Sequence, residues 1–121
     1  MNVTIYHNPS CSTSRKVLGM LRENGIEPEI IEYLRTPPDR ETLARLVGTM
    51  QAPVRSILRR KAPPYAELQL DDAKWSDDQL LDLMVANPIL IERPIVVAPG
   101  GTRLCRPPET VLELIGDARS R

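Results

Sequence analysis

Apolar and polar positions along the chain fall into short runs, and the spacing within each run predicts an element. Over residues 2–7, Val3 and Ile5 alternate with polar or amphipathic neighbours, the period-two pattern of a half-buried strand. Residues 14–24 change to a helical spacing, with Val17, Leu18 and Leu21 on an inner face, and Gly25 closes the run. Residues 29–34 read as a second strand. Two strands separated by the length of a helix predict a βαβ unit with a parallel pair.

Thr36-Pro37-Pro38 then breaks the chain, and Asp39 is a good N-cap. Leu43, Leu46, Val47 and Met50 follow at i, i+3, i+4 and i+7, a helical stripe. Pro53 opens a further short helix carrying Val54, Ile57 and Leu58, with the basic cluster Arg59-Arg60-Lys61 at its negative end. Ala62-Pro63-Pro64 breaks the chain again, and residues 65–70 read as a helical turn. Ser76-Asp77-Asp78-Gln79 is a capping box, followed by Leu80, Leu83 and Met84 on one face of a helix that ends at Asn87-Pro88. Ile95-Val96-Val97 reads as a short buried strand, Pro99-Gly100-Gly101 as a hairpin turn and residues 102–105 as its returning strand. Pro107-Pro108-Glu109 starts a last helix bearing Val111, Leu114 and Ile115, with a frayed tail from Gly116. The order is βαβ, three helices, ββα. The fold class is therefore α/β: a thioredoxin-like βαβ…ββα core with a mainly helical insertion between strands two and three, at about residues 38–87, in a single domain over residues 1–121.

Composition changes this picture little. A chain of 121 residues holds one real core and has no room for a second. Charged residues at 26% and hydrophobic ones at 41% are ordinary for a soluble globular chain, and the twelve prolines fall at element boundaries. A formal net charge of zero gives general nucleic-acid binding no support. No leader pattern and no apolar run of membrane length occurs, so a cytoplasmic protein is expected, with reduced thiols. Two cysteines and one histidine make no convincing zinc site, and no metal is expected.

The candidate chemistry sits in His7-Asn8-Pro9-Ser10-Cys11-Ser12-Thr13-Ser14-Arg15. Asn8-Pro9-Ser10 has turn chemistry, so Cys11 belongs in a strand-to-helix loop, at or just before a helix N-terminus. Unpaired backbone N–H groups and the helix dipole favour an anion there, and a thiol held there loses its proton easily. Ser14 stands where a second cysteine of a CxxC motif would be; it donates a hydrogen bond to the thiolate, caps the helix, or both. His7, as a cation, would acidify the thiol further, or else is a solvent-exposed strand end. The partner thiol must come from Cys105 or from another molecule.

Arginines outnumber lysines 13 to 3, and the guanidinium fork binds oxyanions bidentately. A genome rich in Arg codons gives the same bias, so each position is argued alone. Arg93 precedes Pro94 at the entry to the third strand; in a thioredoxin-like fold that proline is cis and faces the catalytic loop. Arg106 ends the fourth strand and Arg59 closes a short helix. Arg15, Arg60 and Arg103 make similar claims. The residues predict an Arg-lined oxyanion pocket without choosing its members.

The loop resembles the active-site loop of the glutaredoxin-coupled arsenate reductases. The likeness continues through Val54-Arg55-Ser56-Ile57-Leu58-Arg59, Asp77-Asp78-Gln79-Leu80, the run from Pro88 to Val97 and Gly101-Thr102-Arg103-Leu104-Cys105-Arg106-Pro107, in order over nearly the whole chain. Some relatives carry a longer extension after the last helix. The resemblance implies that Cys11 is the nucleophile and that Arg59, Arg93 and Arg106 surround the arsenic oxyanion. It implies that His7 favours the thiolate and that Ser14 is its hydroxyl neighbour. Arsenate is then the substrate, glutathione a co-substrate and glutaredoxin the partner that supplies electrons, with no bound cofactor; a monomer that binds neither nucleic acid nor membrane is expected. Two other functions compete: a glutathione-dependent thiol oxidoreductase acting on another substrate, and a redox-linked regulator that binds RNA polymerase. The regulator type senses redox through CxxC, against which the CxxS of Cys11 to Ser14 argues.

Overall fold

A computed structural model describes residues 1–116; the tail beyond Gly116 lies outside the described residues. The elements are β1 (Thr4–His7), α1 (Ser12–Glu23), β2 (Glu29–Glu32), α2 (Arg40–Met50), α3 (Pro63–Glu67), α4 (Asp77–Ala86), β3 (Ile95–Ala98), β4 (Gly101–Leu104) and α5 (Thr110–Leu114). Short 3-10 turns occupy Val54–Ile57 and Pro88–Leu90. The chain divides into two compact units, one made of Met1–Thr36 with the chain from Arg93 onward, the other of Pro37–Glu92.

The first unit is a sheet of order β2-β1-β3-β4. The β1–β2 pair is parallel, as its helical crossover requires, and Ile5 stands opposite Ile30. The β1–β3 and β3–β4 pairs are antiparallel, with Ile5 opposite Val96. Because side chains alternate along a strand, Val3 and Ile5 share a face with Val96 and Ala98. That face packs with Val17, Leu18 and Leu21 of α1 and Val111, Leu114 and Ile115 at α5 in one buried cluster. Leu21 is fully enclosed, a burial worth roughly 1.5–3 kcal/mol.

Element ends differ from the sequence reading for local reasons. The first strand pairs only from Thr4, although the Val3 carbonyl still accepts the Glu29 N–H at 2.8 Å. The second ends at Glu32, whose carbonyl takes both the Arg35 and Thr36 N–H groups in a turn; Tyr33, just past the strand, is nonetheless buried. The hairpin turn is Pro99-Gly100 alone, since Ala98 pairs with Gly101. Gly101 has φ of 139°, which only glycine adopts easily, and a Cβ on Gly100 would sit 3.0 Å from the Leu114 carbonyl oxygen. Cys105 lies one residue beyond β4, its N–H donating to the Pro94 carbonyl at 2.9 Å. The last helix starts at Thr110, after a turn in which Thr110 and Val111 donate to Pro107 and Pro108.

In the second unit, Asp39 caps α2 by accepting the Thr42 N–H at 2.8 Å, and the stripe buries Leu43, Leu46 and Val47, leaving Met50 partly exposed. The capping box of α4 forms in full between Ser76 and Gln79, with Leu80, Leu81 and Met84 buried; Leu81 replaces the expected Leu83. Two expectations are corrected. The helix after Pro53 is a single 3-10 turn ending at Ile57, because Leu58 turns extended and bridges to Ile91. Arg59-Arg60-Lys61 therefore follows an extended residue instead of closing a helix. Pro63 and Pro64 do not break the chain; they open α3, where a missing N–H costs nothing.

Candidate active site around Cys11

The loop is assembled by its own backbone. The Cys11 N–H donates to the Asn8 carbonyl at 3.0 Å, closing a four-residue turn with Pro9 in the second position, where its fixed φ suits the turn. The Asn8 side-chain Oδ1 accepts the Ser10 N–H at 2.9 Å. Arg15 folds back from α1 and donates from Nη1 to the Pro9 carbonyl at 2.9 Å. Cys11 thus becomes the N-cap of α1, with φ of −95° and ψ of 122°, and its carbonyl receives the Arg15 N–H at 3.0 Å. The helix begins at Ser12, two residues earlier than the apolar spacing suggests, because the turn delivers the chain to it.

Burial alone would push the Cys11 thiol up. It is more than offset by the backbone N–H of Ser14, the charge of Arg93, a hydrogen bond from Arg106 and the backbone N–H of Thr13, so that the thiol lies below its ordinary value. Arg106 Nη1 stands 3.8 Å from Cys11 Sγ and donates to the Arg93 carbonyl at 3.0 Å. The Arg93-Pro94 peptide is cis, as expected from the thioredoxin-like reading, and Arg106-Pro107 is cis as well, which the sequence did not announce.

His7 and Ser14 lie together, but not in the expected roles. The imidazole is neither exposed nor a cation beside the sulfur: it is 5% exposed, and burial lowers its pKa below 6.5, against the opposing pull of Glu32, so it is neutral at physiological pH. Its Nδ1 lies 2.6 Å from Ser14 Oγ, which also accepts the Asn8 N–H at 3.1 Å. The Ser14 hydroxyl therefore ties strand end to helix.

Cys105 is closed to solvent, packed in the core cluster, and burial pushes its thiol up to about 12. It is an inert core side chain. Of the competing arginines, Arg15 is engaged with Pro9 and Arg103 with Glu113 on α5 at 3.3 Å. The structure brings Cys11, His7, Ser14, Arg93 and Arg106 together. Arg59 belongs to the second unit. Its backbone N–H donates to the Leu90 carbonyl at 2.7 Å, while its Nε is enclosed with no hydrogen-bond partner among the described residues. Arg60 is in that unit too, exposed. Among the described residues no cluster of three His, Cys, Asp or Glu side chains is placed to hold a metal. No described helix is long and apolar enough to cross a membrane.

A mixed four-stranded sheet carrying one activated cysteine at the N-terminus of its first helix defines a thioredoxin-like protein of the single-cysteine type. Residues 6–114 match the ArsC family, to which this chain belongs. It is 56% identical over 118 residues to the arsenate reductase of Escherichia coli (strain K12), covering 98% of this chain and 84% of that one. The arsenate reductase of Acidiphilium multivorum is 54% identical over 118 residues with the same coverage. The solved arsenate reductase from Vibrio cholerae superposes with a TM-score of 0.90 at 50% identity, over 94% of this chain and 98% of that one.

Proposed function

We propose that this chain reduces arsenate to arsenite, with Cys11 as the nucleophile. The observation that carries the reading is an acidified thiol flanked by two guanidinium groups, Arg93 and Arg106, that an incoming oxyanion can engage. Substrates of the similar proteins, as their names give them, agree with it. The Cys11 thiolate attacks As(V) of bound arsenate and expels water or hydroxide. The arginines neutralise the oxyanion, so that an anionic nucleophile can approach it. Arg59, in the second unit, has an enclosed guanidinium nitrogen with no acceptor among the described residues, which supports an anionic ligand for it.

Reduction needs two electrons, supplied as two thiols become a disulfide: arsenic acid and two thiols give arsenious acid, the disulfide and water. Cys105 is closed to solvent, so this chain has no second thiol to offer, which supports an external donor. We assign that role to glutathione, which thiolates the arsenic adduct, and to glutaredoxin, which takes the glutathione away; hydrolysis then releases arsenite. The same reading makes the protein a cytoplasmic monomer with no bound cofactor.

Arsenate-dependent NADPH oxidation, coupled through glutathione, glutaredoxin and glutathione reductase, tests this. The parent is expected to turn over, Cys11→Ser to fall to background, and Arg93→Ala to lose about 100- to 1,000-fold in kcat/KM, the usual cost of one oxyanion donor. A parent silent with arsenate while its thiol stays acidic would move the function to thiol exchange on another substrate.

A further inference from the structure

We propose that Asn8 is a positioning residue for the reactive thiol: its side-chain carbonyl, by holding the Ser10 N–H, fixes the turn that seats Cys11 as the N-cap of α1. The inference rests on Cys11 being the nucleophile, and not on which substrate it attacks.

Asn8 touches the loop at three points. Its N–H donates to Ser14 Oγ, its carbonyl accepts the Cys11 N–H, and its Oδ1 accepts the Ser10 N–H. The first two are backbone bonds that survive substitution. Only the third depends on the side chain, so it can be deleted by itself. An asparagine carbonyl one carbon from Cβ has the reach for the N–H two residues on; glutamine places it one methylene too far. With the turn closed, the Cys11 N–H points back to Asn8, and Cys11 is held as the N-cap, beside the positive end of α1. Arg15 holds the Pro9 carbonyl from the helix side, so the two tethers grip neighbouring turn residues. A loosened turn lets Cys11 leave the cap, and the sulfur then moves away from the positive end of the helix. The charged groups acting on it, Arg93 and Arg106, are untouched by a change at position 8.

The test is the pH profile of Cys11 alkylation by iodoacetamide in the native protein, for the parent, Asn8→Ala, Asn8→Gln and Asn8→Ser. Cys105, closed to solvent, does not contribute. Below the thiol midpoint, Asn8→Ala and Asn8→Gln are expected to react about three- to tenfold more slowly, the worth of one net hydrogen bond. Asn8→Ser, whose hydroxyl makes the same turn more weakly, is expected in between and keeps the test open if the alanine variant does not fold. Unshifted profiles in the folded variants would overturn the proposal. So would Asn8→Gln matching the parent, or Asn8→Ser doing no better than Asn8→Ala. Arsenate turnover of the parent is measured beside them: its absence would defeat the arsenate reading and leave this inference standing on the alkylation data.

Discussion

His7 shows how burial decides a residue's role. A histidine in water gains a proton near pH 6.5, but here the folded chain resists it. The unfolded chain takes up that proton between about 6.5 and the lower folded midpoint, and the folded chain does not. Stability is therefore full above about pH 6.5 and declines as pH falls through this window. His7→Asn, which can still meet the Ser14 hydroxyl, is expected to flatten this slope in urea melts recorded on either side of pH 6.5. The depressed carboxyls of Glu27 and Asp39 lose their contribution only in a more acidic range, so they do not mask the effect. Sequence alone names this pair but misreads its chemistry. The position of His7 at a strand end says nothing of its 5% exposure, which comes from packing of residues distant in the chain. Cys11 is legible because its environment is local: a turn of four residues and the first turn of a helix.

Elements were legible where the signal is contained within a few residues. The Asp39 cap and the Ser76–Gln79 box each need only a side chain and an N–H three positions on, and both form as read. Asp39→Ala and Ser76→Ala are each expected to cost about 1 kcal/mol, measurable as lower melting temperatures. The helix expected after Pro53 failed because its outcome is settled elsewhere. Leu58 pairs with Ile91, the Arg59 N–H bonds Leu90, and the Glu92 N–H returns to Ile57 at 2.7 Å. No local spacing announces a pairing across some thirty residues of chain. The two prolines before Tyr65 were ambiguous for another reason: proline both ends helices and opens them, and the flanking residues do not tell which.

For the whole molecule, the strand order follows from the order of elements, and the members of the oxyanion site do not. Arg93 and Arg106 meet only because β3 and β4 pair and bring their outer ends together, so that Arg106 reaches the Arg93 carbonyl. Pairing also places Cys105 in the core while Cys11 stays at the loop, 0% against 8% exposed. Native protein treated with an alkylating agent is expected to gain one adduct by mass spectrometry, and two once denatured. Cys105→Ala is expected to keep turnover while losing about 1–2 kcal/mol of stability, since only packing depends on that sulfur; a large loss of activity in a folded variant would give Cys105 a chemical role.

The entombed second sulfur also sets how this molecule meets oxidants. Peroxide converts an acidic thiolate to sulfenic acid, which a neighbouring thiol ordinarily captures as a disulfide, halting the damage. Here no such neighbour is within the chain's own reach. Once oxidised, Cys11 either finds a small thiol from solution, which caps it reversibly, or is carried on to sulfinic acid and lost. The same burial that keeps Cys105 out of the chemistry thus removes the internal brake on irreversible oxidation, and leaves the survival of the nucleophile to the thiols around it.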